Sequence, residues 1–129
     1  MAGQRATFAF ETTLASRSFA SWLRSRRSEG YAIYLVFLWL PDPEEALRRV
    51  AERVARGGHD VPPDVVHRRY AAGLRNFFGL YQPLATDWRV YDTSVSGPPR
   101  LLAAGQGAAT STIADRLRWQ ELMRQWSPA

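Results

Sequence analysis

The decapeptide YAIYLVFLWL, residues 31–40, decides how this sequence folds. It is almost entirely apolar, it is rich in aromatic and branched side chains, and Pro41 ends it. A run of this kind is typical of a strand covered on both faces, as strands of parallel sheets are. Its ten residues are half of the roughly 20 that a membrane-spanning helix needs. We therefore predict a central strand of a parallel sheet.

A short strand and a helix are predicted before this central strand. TFAFET, residues 7–12, alternates phenylalanine with other residues, as a half-buried strand does. The arginine-rich segment that follows places Phe19, Trp22 and Leu23 at helical spacing, and Gly30 ends it. We expect these three apolar residues to face the core.

Two helices are predicted after the central strand. In DPEEALRRVAERVARGG, residues 42–58, Asp42 is a candidate N-cap, and two glycines end the helix. A second helix, residues 62–84, begins with prolines. The expected buried stripes are Leu47, Val50, Ala51 and Val54 in the first helix and Val66, Tyr70, Leu74, Phe77 and Tyr81 in the second. Together they predict a helical hairpin over about residues 42–84.

The remainder of the chain predicts two more strands and a closing helix. Residues 87–94 and 100–105 read as strands, and residues 110–126 as an amphipathic helix. The inward candidates of that helix are Ile113, Leu117, Leu122 and Trp126. Because strands alternate with helices, we predict a single α/β domain over residues 1–129 with a mostly parallel sheet. A ligand site is then expected beyond the carboxyl ends of the strands.

Composition limits the function classes. The net charge is +5, and all 17 basic residues are arginine. A GC-rich genome also produces such a bias, so it does not by itself indicate anion binding. Without lysine these residues cannot form a G-x-x-x-x-G-K-[ST] phosphate loop. The absence of cysteine fits a cytoplasmic protein, and the first residues lack the pattern of a signal peptide.

Arginines lie on both sides of the glycine–proline segment GGHDVPP, residues 57–63. Arg49, Arg53 and Arg56 share one helical face, and Arg68 and Arg69 follow the segment. One interpretation is that they converge on a polyphosphate. The other is a solvated face, in which Glu45 and Arg49 pair at i, i+4.

Polar residues at strand ends have two interpretations as well. Glu11 and Thr12 follow the first strand and could hold a sugar hydroxyl or cap the next helix, and Asp92 has the same alternatives. His59 and His67 lack metal-ligand spacings, so no metal site is predicted.

The quoted motifs and their order resemble the zeta-toxin-like P-loop kinases. The resemblance covers roughly residues 7–105, and its most specific pieces are ETTL and GGHDVP followed by RRY. It implies a three-layer P-loop-kinase-like parallel sheet with helices on both faces. The implied activity is transfer of the ATP γ-phosphate to a sugar nucleotide, with ATP and Mg²⁺ as cofactors.

The resemblance also implies roles for individual residues. Arg53 and Arg69 correspond to catalytic arginines of a lid formed by residues 42–84. Glu11 and Thr12 correspond to substrate-binding positions. Arg56, Arg68, His59 and Asp92 are the expected cofactor contacts. Since YDTS has Thr93 where the family has asparagine, the contact of that loop is the least supported.

Members of the family carry a strand, a phosphate loop and a helix before FAFETT, whereas Met1 nearly adjoins it here. We therefore expect the first strand–helix unit to be missing, unless the true start codon lies upstream. Kinase activity of the chain alone should then be weak or absent. We further expect the strands at residues 7–12 and 31–40, separated by that unit in the family, to pair directly.

Three functions are compatible with these observations. The first is the C-terminal portion of such a kinase, with a nucleotide or sugar-nucleotide ligand and an antitoxin as a candidate partner. The second is a non-catalytic protein that pairs with a chain carrying the phosphate loop. The third is a basic nucleic-acid-binding module, which the pI of about 10.4 suggests but no recognised motif supports.

Overall fold

The computed structural model describes residues 8–11, 17–94 and 97–126 and places five strands in one mixed sheet, in the order β1-β2-β3-β4-β5. These strands are β1 (Phe8–Glu11), β2 (Ile33–Trp39), β3 (Asp87–Asp92), β4 (Arg100–Gln106) and β5 (Ala109–Ile113). The first three run parallel, whereas β4 and β5 are antiparallel to their neighbours. The α/β class is confirmed, but the sheet is parallel only in its first half.

The helices are α1 (Phe19–Ser28), α2 (Pro43–Ala55), α3 (Pro63–Asn76) and α4 (Arg116–Trp126). A π-helical turn (Phe77–Tyr81) and a 3₁₀ turn (Gln82–Leu84) extend α3 towards β3. The predicted helix over residues 62–84 is therefore three consecutive helical pieces. No helix among the described residues has the length and apolar character to cross a bilayer.

β1 and β2 pair directly. The parallel register runs from Phe8 opposite Ile33 to Glu11 opposite Val36. The predicted closing of these two strands onto each other is confirmed. β2 therefore has a hydrogen-bonded neighbour on each side, as its apolar sequence requires.

The core lies on one face of the sheet. Ile33, Leu35, Phe37 and Trp39 of β2 are buried with side chains from three helices, namely Ala20, Leu23, Leu74, Trp119 and Leu122. On the opposite face of β2, Tyr34 is 39% exposed and neighbouring side chains are half-buried. The two crossovers from β1 to β2 and from β2 to β3 advance in the same direction across the sheet, so right-handed connections put their helices on the same side. The described chain thus shows two layers where three were expected.

The end of the chain corrects the expected helix over residues 110–126. Gly107, at φ +54°, forms a tight turn, and β5 returns along β4 as a hairpin before α4 begins. Ile113 is 47% and Leu117 78% exposed, whereas Leu122 is buried as expected and Trp119 is buried as well. The threonine-rich stretch before Ile113 favours a strand, which the helical periodicity concealed.

Two other predicted apolar faces were only partly correct. In α1, Leu23 is buried as expected, but Phe19 and Trp22 are exposed and Ala20 faces the core. In α2, Val50 alone is buried. α2 packs mainly on α3 rather than on the sheet, so little of its surface is removed from water.

Candidate functional site

A cleft of about 840 Å³ lies at the carboxyl end of β2, between α2 and α3. The last residues of β2 and the loop after it form one wall, and α2 and α3 form the others. Its apolar lining consists of Phe37, Leu38, Trp39, Leu40, Ala46, Val50, Val61, Val66 and Leu74. The position beyond a parallel strand end agrees with the site predicted for this class of sheet.

Five arginines line this cleft: Arg48, Arg49, Arg53, Arg56 and Arg69. Four come from α2 and its C-cap, and Arg69 comes from α3. Arg68 is exposed on α3 and is not part of the lining. The two adjacent arginines point about 100° apart on the helix, and Arg69 is the one that reaches the cleft.

Arg48 and Arg49 already have partners. Arg48 pairs with Glu45 and, at 2.9 Å, with Glu52. The hydrogen bond from Arg48 lowers the pKa of the Glu45 carboxyl. Arg49 donates to the carbonyl oxygen of Thr93 and lies 3.6 Å from Glu45. The Glu45–Arg49 pair of the solvated-face interpretation is therefore present, and Arg49 also ties α2 to the end of β3.

Arg53, Arg56 and Arg69 have no side-chain hydrogen bond or ion pair with any part of the chain that the structure describes. We call these three residues the free arginines. The only carboxylate that lines the cleft among the described residues is Glu52, which binds Arg48. The open side of the cleft is consequently rich in unneutralised positive charge.

The ends of α2 hold this arrangement in place. The carboxylate of Asp42 accepts from the backbone N–H of Glu44 at 2.9 Å, which confirms the predicted N-cap. At the other end Gly57 adopts φ +94°, and the N–H of Gly58 donates to the carbonyl of Arg53 at 2.8 Å. This glycine termination turns the chain sharply towards α3 immediately after Arg56.

Neither histidine contributes to the cleft. His59 is exposed in the loop between α2 and α3 and is not among the lining residues. His67 lies 3.4 Å from Glu44 and joins the two helices. Within residues 8–11, 17–94 and 97–126, no group of three His, Cys, Asp or Glu side chains could hold a metal ion.

The Asp92 side chain is buried and contacts other parts of the protein rather than facing the cleft. It is 1% exposed, and it accepts from the backbone N–H of Ser94 at 2.8 Å and from its hydroxyl at 2.6 Å. Arg118 of α4 lies 3.5 Å from its other oxygen. The expected cofactor contact is therefore occupied by internal partners and does not line the cleft.

The predicted substrate-binding pair lies at the other parallel strand. Glu11 ends β1 opposite Val36, so its backbone is at the same edge of the sheet as the cleft. Thr12 lies outside the described residues. The prediction for these two positions stays a prediction.

Tyr70 belongs to the cleft although its spacing indicated only a core position. Its hydroxyl is within hydrogen-bonding distance of the carbonyl of Leu40 and, at 3.0 Å, of the side-chain oxygen of Gln125. Burial raises the pKa of Tyr70 to about 12. The one available signal was a tyrosine, rather than a phenylalanine, in an apolar stripe, because a buried hydroxyl needs a partner.

Comparison with known proteins places the fold. No family model matches this chain. An uncharacterized protein of Haemophilus influenzae (strain ATCC 51907 / DSM 11121 / KW20 / Rd) is 30% identical over 67 residues, which are 52% of this chain and 48% of the relative. The chain thus spans about half the length of the curated relative that it matches.

Two solved structures share the fold at 18% identity. A crystal structure of AvrRxo1-ORF1:-ORF2 with ATP matches with a TM-score of 0.66, over 90% of this chain and 36% of the other. A crystal structure of AvrRxo1-ORF1:AvrRxo1-ORF2 with sulphate ions matches with a TM-score of 0.65, over 90% and 37%. At this identity the likeness shows the fold alone, in chains about two and a half times as long.

Proposed function

We propose that this chain forms the arginine-bearing side of a phosphate-binding cleft in a kinase of the zeta-toxin-like kind. Its ligand would be ATP, a sugar nucleotide or a similar phosphorylated small molecule. The observation that carries the proposal is that Arg53, Arg56 and Arg69 line one cleft and have no described ion-pair partner. The resemblance in sequence gives the same residues to a lid.

Unpaired positive charge in the cleft favours the binding of an anion. Guanidinium groups gathered without counter-ions repel one another, and an oxyanion removes that repulsion while accepting two parallel N–H donors from each fork. Solvated arginines need no such anion, but these line a concave surface with apolar walls. That lining suits a ligand with an apolar part beside its phosphate groups. The two solved structures of similar fold were obtained with ATP and with sulphate ions, which are both anions that arginine binds.

The proposal assigns phosphate binding to this cleft but not metal binding. The described residues offer no cluster of carboxylates for Mg²⁺. The sequence has no lysine for the outer phosphates either. Lid arginines accelerate phosphoryl transfer only when phosphates and metal are already positioned. We therefore propose that these 129 residues bind phosphate ligands without transferring phosphate efficiently.

A non-catalytic pairing protein is the alternative, and one observation favours it. One face of the sheet, where Tyr34 is 39% exposed, is not covered by the helices of the core. A separate chain that carries the phosphate loop would then complete the site. In that case the isolated chain would bind no phosphate ligand, whereas the mixture of the two chains would.

Calorimetric titration of the purified chain with pyrophosphate, ATP–Mg²⁺ and UDP-N-acetylglucosamine tests the proposal. Arg53→Ala and Arg69→Ala should each weaken binding by about tenfold or more, since a charge-assisted contact is worth about 1.5–3 kcal/mol. Arg75→Ala is the matched control, because Arg75 is exposed on α3 outside the cleft. It should change the affinity by less than about twofold, as a distant surface charge does.

Thermal unfolding of the same variants separates binding from folding. The free arginines make no described contact, so the melting temperatures should change little. Absence of heat with every ligand at millimolar concentration would refute the proposal for the isolated chain. Equal weakening by Arg75→Ala would reduce the effect to non-specific attraction by net charge.

A further inference from the structure

The side-chain amide of Gln125 connects three parts of the fold. Gln125 lies in the last turn of α4, and its Nε2 donates to the carbonyl of Pro41 at 2.6 Å. Its Oε1 accepts from the indole N–H of Trp39 at 3.2 Å and lies 3.0 Å from the hydroxyl of Tyr70, whose single proton it shares with the carbonyl of Leu40. One amide thus joins the end of β2, the loop before α2 and the middle of α3.

These contacts require an amide in particular. Trp39 is 1% exposed, and Gln125 is the described acceptor of its indole N–H. Pro41 presents a carbonyl, which needs a donor, while Trp39 and Tyr70 both approach an acceptor. Among side chains of this length, glutamine alone offers a donor and an acceptor together.

The residues that Gln125 contacts line the cleft or lie at the start of a helix that forms its wall. Trp39 and Tyr70 line it, whereas no residue of α4 does. Pro41 immediately precedes Asp42, the N-cap of α2, and Tyr70 immediately follows Arg69. Fixing Pro41 and Tyr70 to one side chain therefore fixes the origin of α2 relative to the arginine-bearing turn of α3.

We propose that Gln125 is a positioning residue for this cleft, holding α2 and α3 at the spacing at which Arg53, Arg56 and Arg69 converge. The inference rests on the proposed function. It goes beyond the resemblance, which ends near residue 105. Gln125 itself touches no ligand, so its effect on binding passes through Trp39, Pro41 and Tyr70.

The test compares Gln125→Leu with Gln120→Leu. Gln120 is exposed on the same helix and has no described side-chain contact, so the two substitutions change the composition equally. Pyrophosphate affinity is measured well below the melting temperature of each variant. We expect Gln125→Leu to weaken binding five- to tenfold and Gln120→Leu to leave it within twofold. A lower melting temperature with unchanged affinity would overturn the inference, because that is the result of a merely structural role.

Tyr70→Phe keeps the test valid if Gln125→Leu does not fold. Removing the hydroxyl breaks one of the three contacts of Gln125, together with the hydrogen bond from Tyr70 to the carbonyl of Leu40, and should weaken binding about threefold. In the double variant the loss should be smaller than the product of the two single losses, because both substitutions remove the contact between Tyr70 and Gln125. Fully multiplicative losses would show that the two side chains act separately and would contradict the inference.

Hydrogen exchange distinguishes failure of the inference from failure of the proposed function. In Gln125→Leu the indole N–H of Trp39 and the amides of residues 66–72 should exchange at least tenfold faster, while α1 amides remain unchanged. If the unsubstituted chain binds no pyrophosphate, the proposed function fails, and the exchange rates alone decide whether Gln125 holds the helices. Unaltered exchange at these positions would overturn the inference in either case.

Discussion

Neighbouring arginines of α2 differ in what their guanidinium groups contact. Arg48 binds two carboxylates of its own helix, Arg49 donates to the backbone of Thr93, and Arg53 has no described partner. Exposed pairs such as those of Arg48 contribute about 0–1 kcal/mol to folding. The unpaired arginine is therefore the one whose charge remains available to a ligand.

Tyr70 predicts a specific dependence of stability on pH. Burial raises its pKa from 10 to about 12 in the folded protein. Between these values the unfolded chain releases the phenolic proton while the folded chain retains it, so the free energy of unfolding must fall as pH rises. Urea unfolding at pH 9 and pH 11 should show this fall, and Tyr70→Phe should show a smaller one.

Comparing the unsubstituted chain with Tyr70→Phe separates the effect of Tyr70 on stability from that of the other tyrosines. Burial also raises the pKa of Tyr81, which contributes equally to both proteins. Stability that falls to the same extent in the wild-type chain and in Tyr70→Phe would contradict the assignment.

Helical spacing identified the arginines of the cleft but not every partner. The spacing of Arg53 and Arg56 predicted that they share one helical face, and both line the same cleft as Arg69 of the next helix. The partner of Asp92 could not be predicted from helical spacing. Its partner Arg118 lies 26 residues further along the chain, on an element whose position depends on the whole sheet.

Elements were predictable where their signals are local. The caps of α2 depend on residues next to the helix, Asp42 before it and Gly57 after it. Both have the expected geometry. The π-helical turn after α3 depends instead on packing, since Phe77 and Tyr81 are both almost fully buried. No local pattern indicates that an extra residue is accommodated there.

In the hairpin of β4 and β5, adding a single methyl group at Gly105 should destabilise the protein strongly. A Cβ at Gly105 would lie 2.5 Å from Cζ2 of Trp88 and would overlap the carbonyl of Ala109. Since both neighbours are held in the sheet, Gly105→Ala should lower the free energy of unfolding by about 2–3 kcal/mol. Urea unfolding followed by circular dichroism measures this.

Gly79→Ala is the control for that substitution. A Cβ at Gly79 meets nothing within 4 Å, and the residue lies in a helical turn. Its replacement by alanine should be neutral or stabilising by up to about 1 kcal/mol. Equal destabilisation by both substitutions would show that Trp88 does not occupy the space opposite Gly105.

At the scale of the whole molecule, alternation of strands and helices predicted the α/β class but not the number of layers. The apolar run at residues 31–40 suggested cover on both faces, yet the core of the described residues lies on one. Strand order decides this, because successive crossovers in one direction place their helices on one side. A single sequence contains no direct signal for strand order.

The net charge of +5 predicts that ligand affinity depends on salt. The Debye length falls from about 14 Å at 50 mM salt to about 4 Å at 500 mM, so attraction of an anion to the free arginines is progressively screened. Pyrophosphate affinity should fall about tenfold over this range, because each released counterion adds to the salt dependence. The melting temperature should change little, since surface ion pairs contribute little to folding.

Titrations at four sodium chloride concentrations measure this dependence. The phosphate-free nucleoside adenosine serves as the uncharged control ligand. Pyrophosphate affinity that is independent of salt would indicate a binding mode that does not use the arginines.

The packing of Trp88 against Trp119 also has an optical consequence. Their rings are 6.0 Å apart and inclined by 18°, and they belong to the sheet and to α4 respectively. Indole rings held in fixed packing give bands in the near-ultraviolet circular dichroism spectrum. Such bands vanish when fixed packing is lost, even if helices and strands persist. The chain therefore carries an intrinsic spectroscopic reporter of whether α4 is docked, and no dye or label is needed to observe it.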